Sequence, residues 1–506
     1  MRIEIKTMNK RILKNKSDVF KILMIVYLVI MAVLFASYYY ADFREVSCVG
    51  INFWDILFRG DLLHFYDQDF IYDGIQFFPN YNILMYMIFA VWNLPTWIVT
   101  KVSAVDVYNS TLCLLWMKSI TLIWTAAFMW TFTKLIKVCI KESSKESGID
   151  GESYEDIIFG DPVRTGAALF LSSAFYMSAV VICGQYDIIS MTFVMLGILH
   201  YITEDKIKHG YNVFFILYFA IALPLKMFAL LVFIPLLLLK EKRIYRIVVN
   251  GILVYLPTLL LNKVFPVKYV INPEVAEGLT LSSANSYDMS LLPLYVDLYD
   301  FINIGFGVLF LYVFAEVILL IICYMFDLNK SDSKIKWIIY VCFMTYFNQF
   351  VLAYSHPYWL LMIVPFIVIM ILLNRKYMYI NILIDTVMCL GMLLAQMFFF
   401  TWAYTGEIVM RSFWRYITGS KHEFVSLTEF AARFVADDRL QTYATGIGLT
   451  IFTAGMLVFA VINCPPIYKR LKIVDYEEKV TTWLFPARLL GGLIFGMIPL
   501  VLYFLV

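Results

Sequence analysis

Tyr211–Leu239 reads YNVFFILYFAIALPLKMFALLVFIPLLLL, and Lys226 is its only charged side chain. About 20 apolar residues suffice for a helix to cross a bilayer. This stretch has Lys206 and Lys208 before it and Lys240 to Arg246 after it. Basic residues mark the cytoplasmic side, so the chain must go in and come back: a hairpin with two short arms, bent at Pro224, with Lys226 at its tip. An ammonium left unpaired near hydrocarbon costs several kcal/mol, which makes it a functional candidate by default.

The same reading extends outward. Apolar stretches of about 40 residues lie between Arg164 and Lys206 and between Lys336 and Arg375, each the length of two spans. Polar tips interrupt them at Gly184-Gln185-Tyr186-Asp187 and Ser355-His356-Pro357-Tyr358. Three hairpins thus deliver Gln185 with Asp187, Lys226, and His356 to one external face. The basic clusters at Lys134 to Lys145, Lys330 to Lys336, Arg375 and Lys376, and Lys469 to Lys472 fall on the other side with the N-terminus. Arg2 to Lys16 precede an apolar run from Val19 to Tyr40 with no small-residue cleavage site, which reads as a retained first helix.

With 62% hydrophobic and 15% charged residues, the 506-residue chain cannot cover a soluble globule with polar surface. The expected fold is all-α: a polytopic transmembrane helical protein with roughly 13 to 15 membrane segments and external interfacial helices and loops. The run from Tyr81 to Val105, broken at Pro95, makes either two short passes or a re-entrant loop. Long external segments are expected at 42–79, 263–300 and 404–441, and a polar cytoplasmic linker at 142–161. Residues 1–375 then form one module, and 376–506 a set of C-terminal helices. A net charge of +2 argues against a nucleic-acid partner. Eight scattered cysteines without ligand spacing give no metal site and no disulfide pattern.

Within 42–79, Asn52 to Phe65 suits a helix lying in the interface. Asp42, at the end of the first span, either ends a helix at the headgroups or serves as a general base, since a partly desolvated carboxylate is raised in pKa. Asp55 is either a solvated acid of a charged amphipathic loop or a functional carboxylate. Lys226 suits a phosphate at headgroup depth. His356 donates to the same phosphate or packs the tip. Gln185 and Asp187 bind sugar hydroxyls, or Asp187 caps the helix that follows. Lys118 is also intramembrane by sequence. The external segment holding Arg411, Arg415, Lys421, Arg433 and Arg439 is basic against the usual bias: an anion site or a solvated face.

This arrangement resembles the GT-C class of integral-membrane glycosyltransferases, in particular the polyprenyl-phosphate-sugar-dependent mannosyltransferases. Asp42 after the first helix resembles the external-loop acid of that class. Phe53-Trp54-Asp55 with Gly60 and Tyr66 resembles its aromatic-Asp run, and Phe78-Pro79 the opening of its next helix. The tips at 184–187 and 356–358, and Lys226 with Pro235, resemble its later motifs. Two features depart from the class: the interval from Asp42 to Asp55 is longer, and no DxD follows the first helix. The resemblance implies a polyprenyl-phosphate-linked sugar as donor, with its phosphate near Lys226 and His356, assisted by Lys118 or Arg44. Asp42 or Asp55 would be the base, and Gln185, Tyr186, Asp187 and Tyr358 would contact sugar or acceptor. It further implies inversion at the anomeric carbon of a mannose-like hexose, a glycan or lipid-linked acceptor, no required metal or other cofactor, and a bacterial plasma-membrane setting. Other classes remain open: a lipid-linked-glycan flippase, which would need polar residues lining both leaflets, a polysaccharide polymerase or ligase using a lipid-diphosphate donor, or a structural membrane subunit.

Overall fold

The computed structural model describes residues 2–72, 75–147, 158–203, 213–266, 301–304, 307–353, 355–398, 411–419, 438–468, 470–471 and 478–505. The chain begins with α1 (Arg2–Ser37) and α2 (Ala41–Phe58), followed by the bent pair α3 (Ile83–Trp92) and α4 (Leu94–Val102) and then α5 (Thr111–Ser147). A second bent pair follows, α6 (Pro162–Leu171) and α7 (Ala174–Ile182), the latter π-helical from Met177. Next come α8 (Asp187–Thr203), α9 (Val213–Leu225), α10 (Ala229–Lys240) and α11 (Ile244–Val264). The C-terminal part holds α12 (Leu311–Met325), α13 (Lys334–Leu352), α14 (Val364–Leu373), α15 (Met378–Phe398), α16 (Arg411–Thr418), α17 (Asp438–Asn463) and α18 (Glu478–Leu505). Two short antiparallel hairpins, Phe70–Tyr72 with Ile75–Phe77 and Phe301–Ile304 with Gly307–Phe310, sit in connections.

The fold is thus a polytopic helical membrane fold. Among the described residues, six helices are long and apolar enough to cross a membrane, eight if each bent pair counts as one span, and six further apolar helices have 10–17 residues. The 13 to 15 segments expected from hydropathy divide accordingly into full spans and short arms. Hydropathy registers both alike, because the arms of a hairpin are as apolar as a span and differ only in length. All three expected hairpins are present: α6–α7 with α8, α9 with α10, and α13 with α14. Between α3 and α4 the axis turns by 62° at Asn93, so the stretch broken near Pro95 is one bent pair. Most of the 263–300 and 404–441 segments, including Lys421 and Arg433, and positions 148–157 of the linker lie outside the described residues.

In lipid, helices gain nothing from burying apolar surface against each other, so close approach and polar contacts hold them. Along α15 and α17 glycines supply the approach: a Cβ on Gly448 would stand 2.6 Å from the carbonyl oxygen of Gly391. Where the ends of α14 and α17 meet the start of α15, Asn463 bonds Asn374 and Asn381. Deeper in the bundle, Arg488 of α18 pairs with Asp385 of α15 and donates to the carbonyl of Leu169 at 3.0 Å and to Ser172 Oγ at 3.1 Å. Tyr27 of α1 donates to the carbonyl of Leu171 at 3.1 Å. The break after α6 leaves its last carbonyls without intrahelical partners, and these two side chains satisfy them.

Candidate functional site

The site forms where three hairpin tips meet the start of α2. At the first tip, Gly184 has φ of +62°, and a Cβ there would press against Phe43 and the Lys118 stem at 3.4 Å. Only glycine turns the chain this way without strain, and the turn hands Gln185, Tyr186 and Asp187 to the beginning of α8. At the second tip, Pro224 withholds a donor from the last turn of α9. The chain then breaks between Leu225 and Ala229, leaving Lys226 at the break. At the third, Pro357 opens a 3-10 turn, Pro357–Ile363, that aims Tyr358 inward.

Asp42, half-buried in the first turn of α2, is where the elements converge. Tyr358 donates its hydroxyl to Asp42 Oδ2 at 3.1 Å, and Gln185 Nε2 lies 3.4 Å from the same oxygen. No described residue donates to Oδ1, which leaves that oxygen open to an acceptor proton. Burial raises the Asp42 carboxyl above its ordinary 3.8, against lowering by Tyr358, Gln185 and the charge of Lys226. One turn on, Glu45 is pushed up to about 7, by burial first and by the negative charge of Asp42 second. Lys226 and Asp187 are both buried, with Nζ 3.0 Å from Asp187 Oδ1. The ammonium also sits 5.0 Å from the centre of the Trp359 ring. The cluster is therefore one open carboxylate and one cation, walled by Tyr40, Tyr81, Tyr186 and Tyr358.

Other candidates fall elsewhere or take different roles. Lys118 Nζ donates to the carbonyls of Phe35, Tyr38 and Val181 at 2.5–2.7 Å. Its donors are thus engaged at the ends of α1 and α7 rather than turned toward Lys226. Lys118→Met is expected to destabilise the protein by about 3 kcal/mol or more, since buried carbonyls left without a donor cost about 1–3 kcal/mol each. A thermal melt in detergent measures this; an unchanged midpoint would contradict it.

Asp55 lies thirteen residues beyond Asp42 on α2, about 20 Å at the rise of a helix. There it accepts from Lys101 at 2.8 Å and from Trp97 Nε1 at 3.0 Å. It is thus a partnered surface acid, remote from the cluster. Exposed pairs of this kind contribute about 0–1 kcal/mol, and Asp55→Asn is expected to keep both stability and any activity of the Asp42 site within about twofold in a paired assay. Arg44 lies over the Tyr39 ring, 5.3 Å from its centre. His356 is held at about 4, by burial first and by Lys226 second, so it is neutral near pH 7 and offers a hydrogen bond rather than a charge. Its ring stacks on that of Tyr358 at 5.3 Å. Asp187 faces Lys226, not an open hydroxyl pocket.

Sequence reading assigned no role to Glu45, Tyr81 or Tyr40. Glu45 had a usable signal, its i, i+3 spacing from Asp42 on one helix face. The two tyrosines had none, being two among 35.

No family model matches the chain, and no curated protein matches it. Among solved structures it is similar to ArnT from Cupriavidus metallidurans, in the apo state (11% identity, TM-score 0.38, 94% of this chain and 77% of that one). The same protein bound to undecaprenyl phosphate gives 11% identity and a TM-score of 0.38 over 95% and 88%.

Proposed function

We propose that the protein is a membrane glycosyltransferase that moves a sugar, a mannose-like hexose in the first instance, from a polyprenyl-phosphate donor to an acceptor hydroxyl on the external face. The observation that carries this reading is the convergence of an open, partly desolvated carboxylate, Asp42, and a buried cation, Lys226, at one end of a helical bundle. Asp42 Oδ1 takes the proton of the acceptor hydroxyl. The oxygen attacks the anomeric carbon from the face opposite the phosphate, the bond from that carbon to the phosphate oxygen breaks, and configuration inverts. Lys226 meets the charge that grows on the leaving phosphate, and fixed charges aimed at developing charge are commonly the largest catalytic contribution. Because a side chain supplies that counter-charge, the reaction needs no divalent metal. Tyr358 and Gln185 orient Asp42, and Tyr186 and Tyr81 line the sugar space.

The test is transfer in proteoliposomes from labelled polyprenyl-phosphate sugars to a crude envelope-glycan acceptor, with Asp42→Asn and Asp55→Asn beside the unmutated protein. Transfer lost only in Asp42→Asn supports the reading. Movement of intact labelled lipid between leaflets without transfer would replace it with a flippase.

A further inference from the structure

The cation assigned to the donor phosphate is already occupied. Lys226 Nζ stands 3.0 Å from Asp187 Oδ1, with the two side chains 9% and 0% exposed. Neither carboxylate oxygen of Asp187 receives a hydrogen bond of good geometry from a described residue. A buried ion pair recovers its desolvation cost only when its remaining hydrogen-bonding positions are filled, and here they are not. Among the groups that interact with this pair are Asp42 of α2, Tyr81 ahead of α3, Tyr346 of α13, and His356 and Tyr358 of the third tip. None of these is a cation near neutral pH. A phosphate entering beside Lys226 would therefore place its charge against both Asp187 and Asp42.

We propose that Asp187 is the resident counter-ion of Lys226, that the lipid phosphate of an incoming donor displaces it, and that Asp187 takes up one proton as it gives way. This rests on the reading of Lys226 as the donor-phosphate site. The donor phosphodiester carries one negative charge, so the loaded site then holds Lys226 and the phosphate in balance, with Asp187 neutral. When the bond to the anomeric carbon breaks, the phosphate gains a second negative charge. The Asp187 proton passes to that phosphate, the freed carboxylate returns to Lys226, and the product leaves as a monoanion. Asp187 is then a release device: it opposes retention of the spent carrier and makes loading favoured at lower pH.

The experiment uses the full chain in lipid nanodiscs and, as probe, a polyprenyl methyl phosphodiester, which has no proton to exchange near neutral pH. Calorimetric titration in buffers of different ionisation enthalpy counts protons taken up on binding. The unmutated protein is expected to take up about one proton per probe. Asp187→Asn is expected to take up none and to bind at least about tenfold tighter, its competing carboxylate having been removed. Infrared difference spectra of the unmutated protein supply a measure that needs no variant: a protonated-carboxyl band must appear on binding. Binding without proton uptake, uptake that persists in a folded Asp187→Asn, or weaker binding by that variant each overturns the proposal while leaving the phosphate site in place. Failure of the probe to bind either protein would instead remove the phosphate reading of Lys226, and this inference with it.

Discussion

Lys226→Ala is expected to lower the proposed sugar transfer by about 10²- to 10³-fold, the effect of withdrawing one preorganised counter-charge from a developing anion. It also destabilises the fold, for a separate reason. Asp187 is fully buried and Lys226 is the cation at contact distance, and removing one member of a buried ion pair costs about 3–5 kcal/mol because the other is left charged and unpaired. The two effects separate in the double variant Lys226→Ala/Asp187→Asn. Its neutral amide needs no counter-ion, so the melting midpoint returns toward that of the unmutated protein while transfer stays lost. Lys226→Arg keeps the charge but replaces a compact ammonium with a planar fork, and is expected to retain stability with reduced transfer. Thermal melts in detergent and initial rates in proteoliposomes read the two quantities independently. A folded Lys226→Ala protein that transfers sugar at the unmutated rate would remove Lys226 from the mechanism.

The placement of Lys226 was legible in the sequence, and its pairing was not. A hairpin tip is encoded locally: a Pro or Gly, a polar residue, apolar arms and basic flanks. Leu223-Pro224-Leu225-Lys226, Gly184-Gln185-Tyr186-Asp187 and Ser355-His356-Pro357-Tyr358 therefore announce themselves, and sidedness brings them to one end. Which of the converging side chains meet depends on packing between hairpins far apart in sequence. Hydropathy thus offered Asp187 to a sugar, whereas the antiparallel packing of α8 and α9 sets it against Lys226. Lys118 shows the same limit, because an intramembrane lysine looks alike whether it awaits an anion or, as here, closes two helix ends through three carbonyls. Arg488 and Asp385, more than 100 residues apart, were passed over because each lies in an ordinary apolar helix, away from any tip. An arginine within a span was itself a signal.

Asp42→Asn is expected to leave the fold intact and to remove the proposed base. An asparagine carbonyl still accepts from Tyr358 and Gln185, so the tips remain joined, but it cannot hold the acceptor proton. Transfer is expected to fall by about 10²- to 10⁴-fold, the usual contribution of general-base catalysis, while probe binding at Lys226 is kept or tightened, one of the two carboxylates that oppose the phosphate having been neutralised. The pH dependence of the unmutated protein follows from the direction of the shift. A general base works when deprotonated, and burial holds the Asp42 carboxyl above its ordinary value. The rate is therefore full at higher pH and falls as pH drops through that raised value, earlier than an exposed aspartate would allow. Tyr358→Phe sharpens the test. The Tyr358 hydroxyl stabilises the charged form of Asp42 from 3.1 Å, and a bond to the charged form lowers a carboxyl's pKa. Its loss moves the acid limb to higher pH while the plateau rate at high pH changes far less. A limb that stays in place, or moves toward lower pH, would show that Asp42 is not the group titrating in the transfer step.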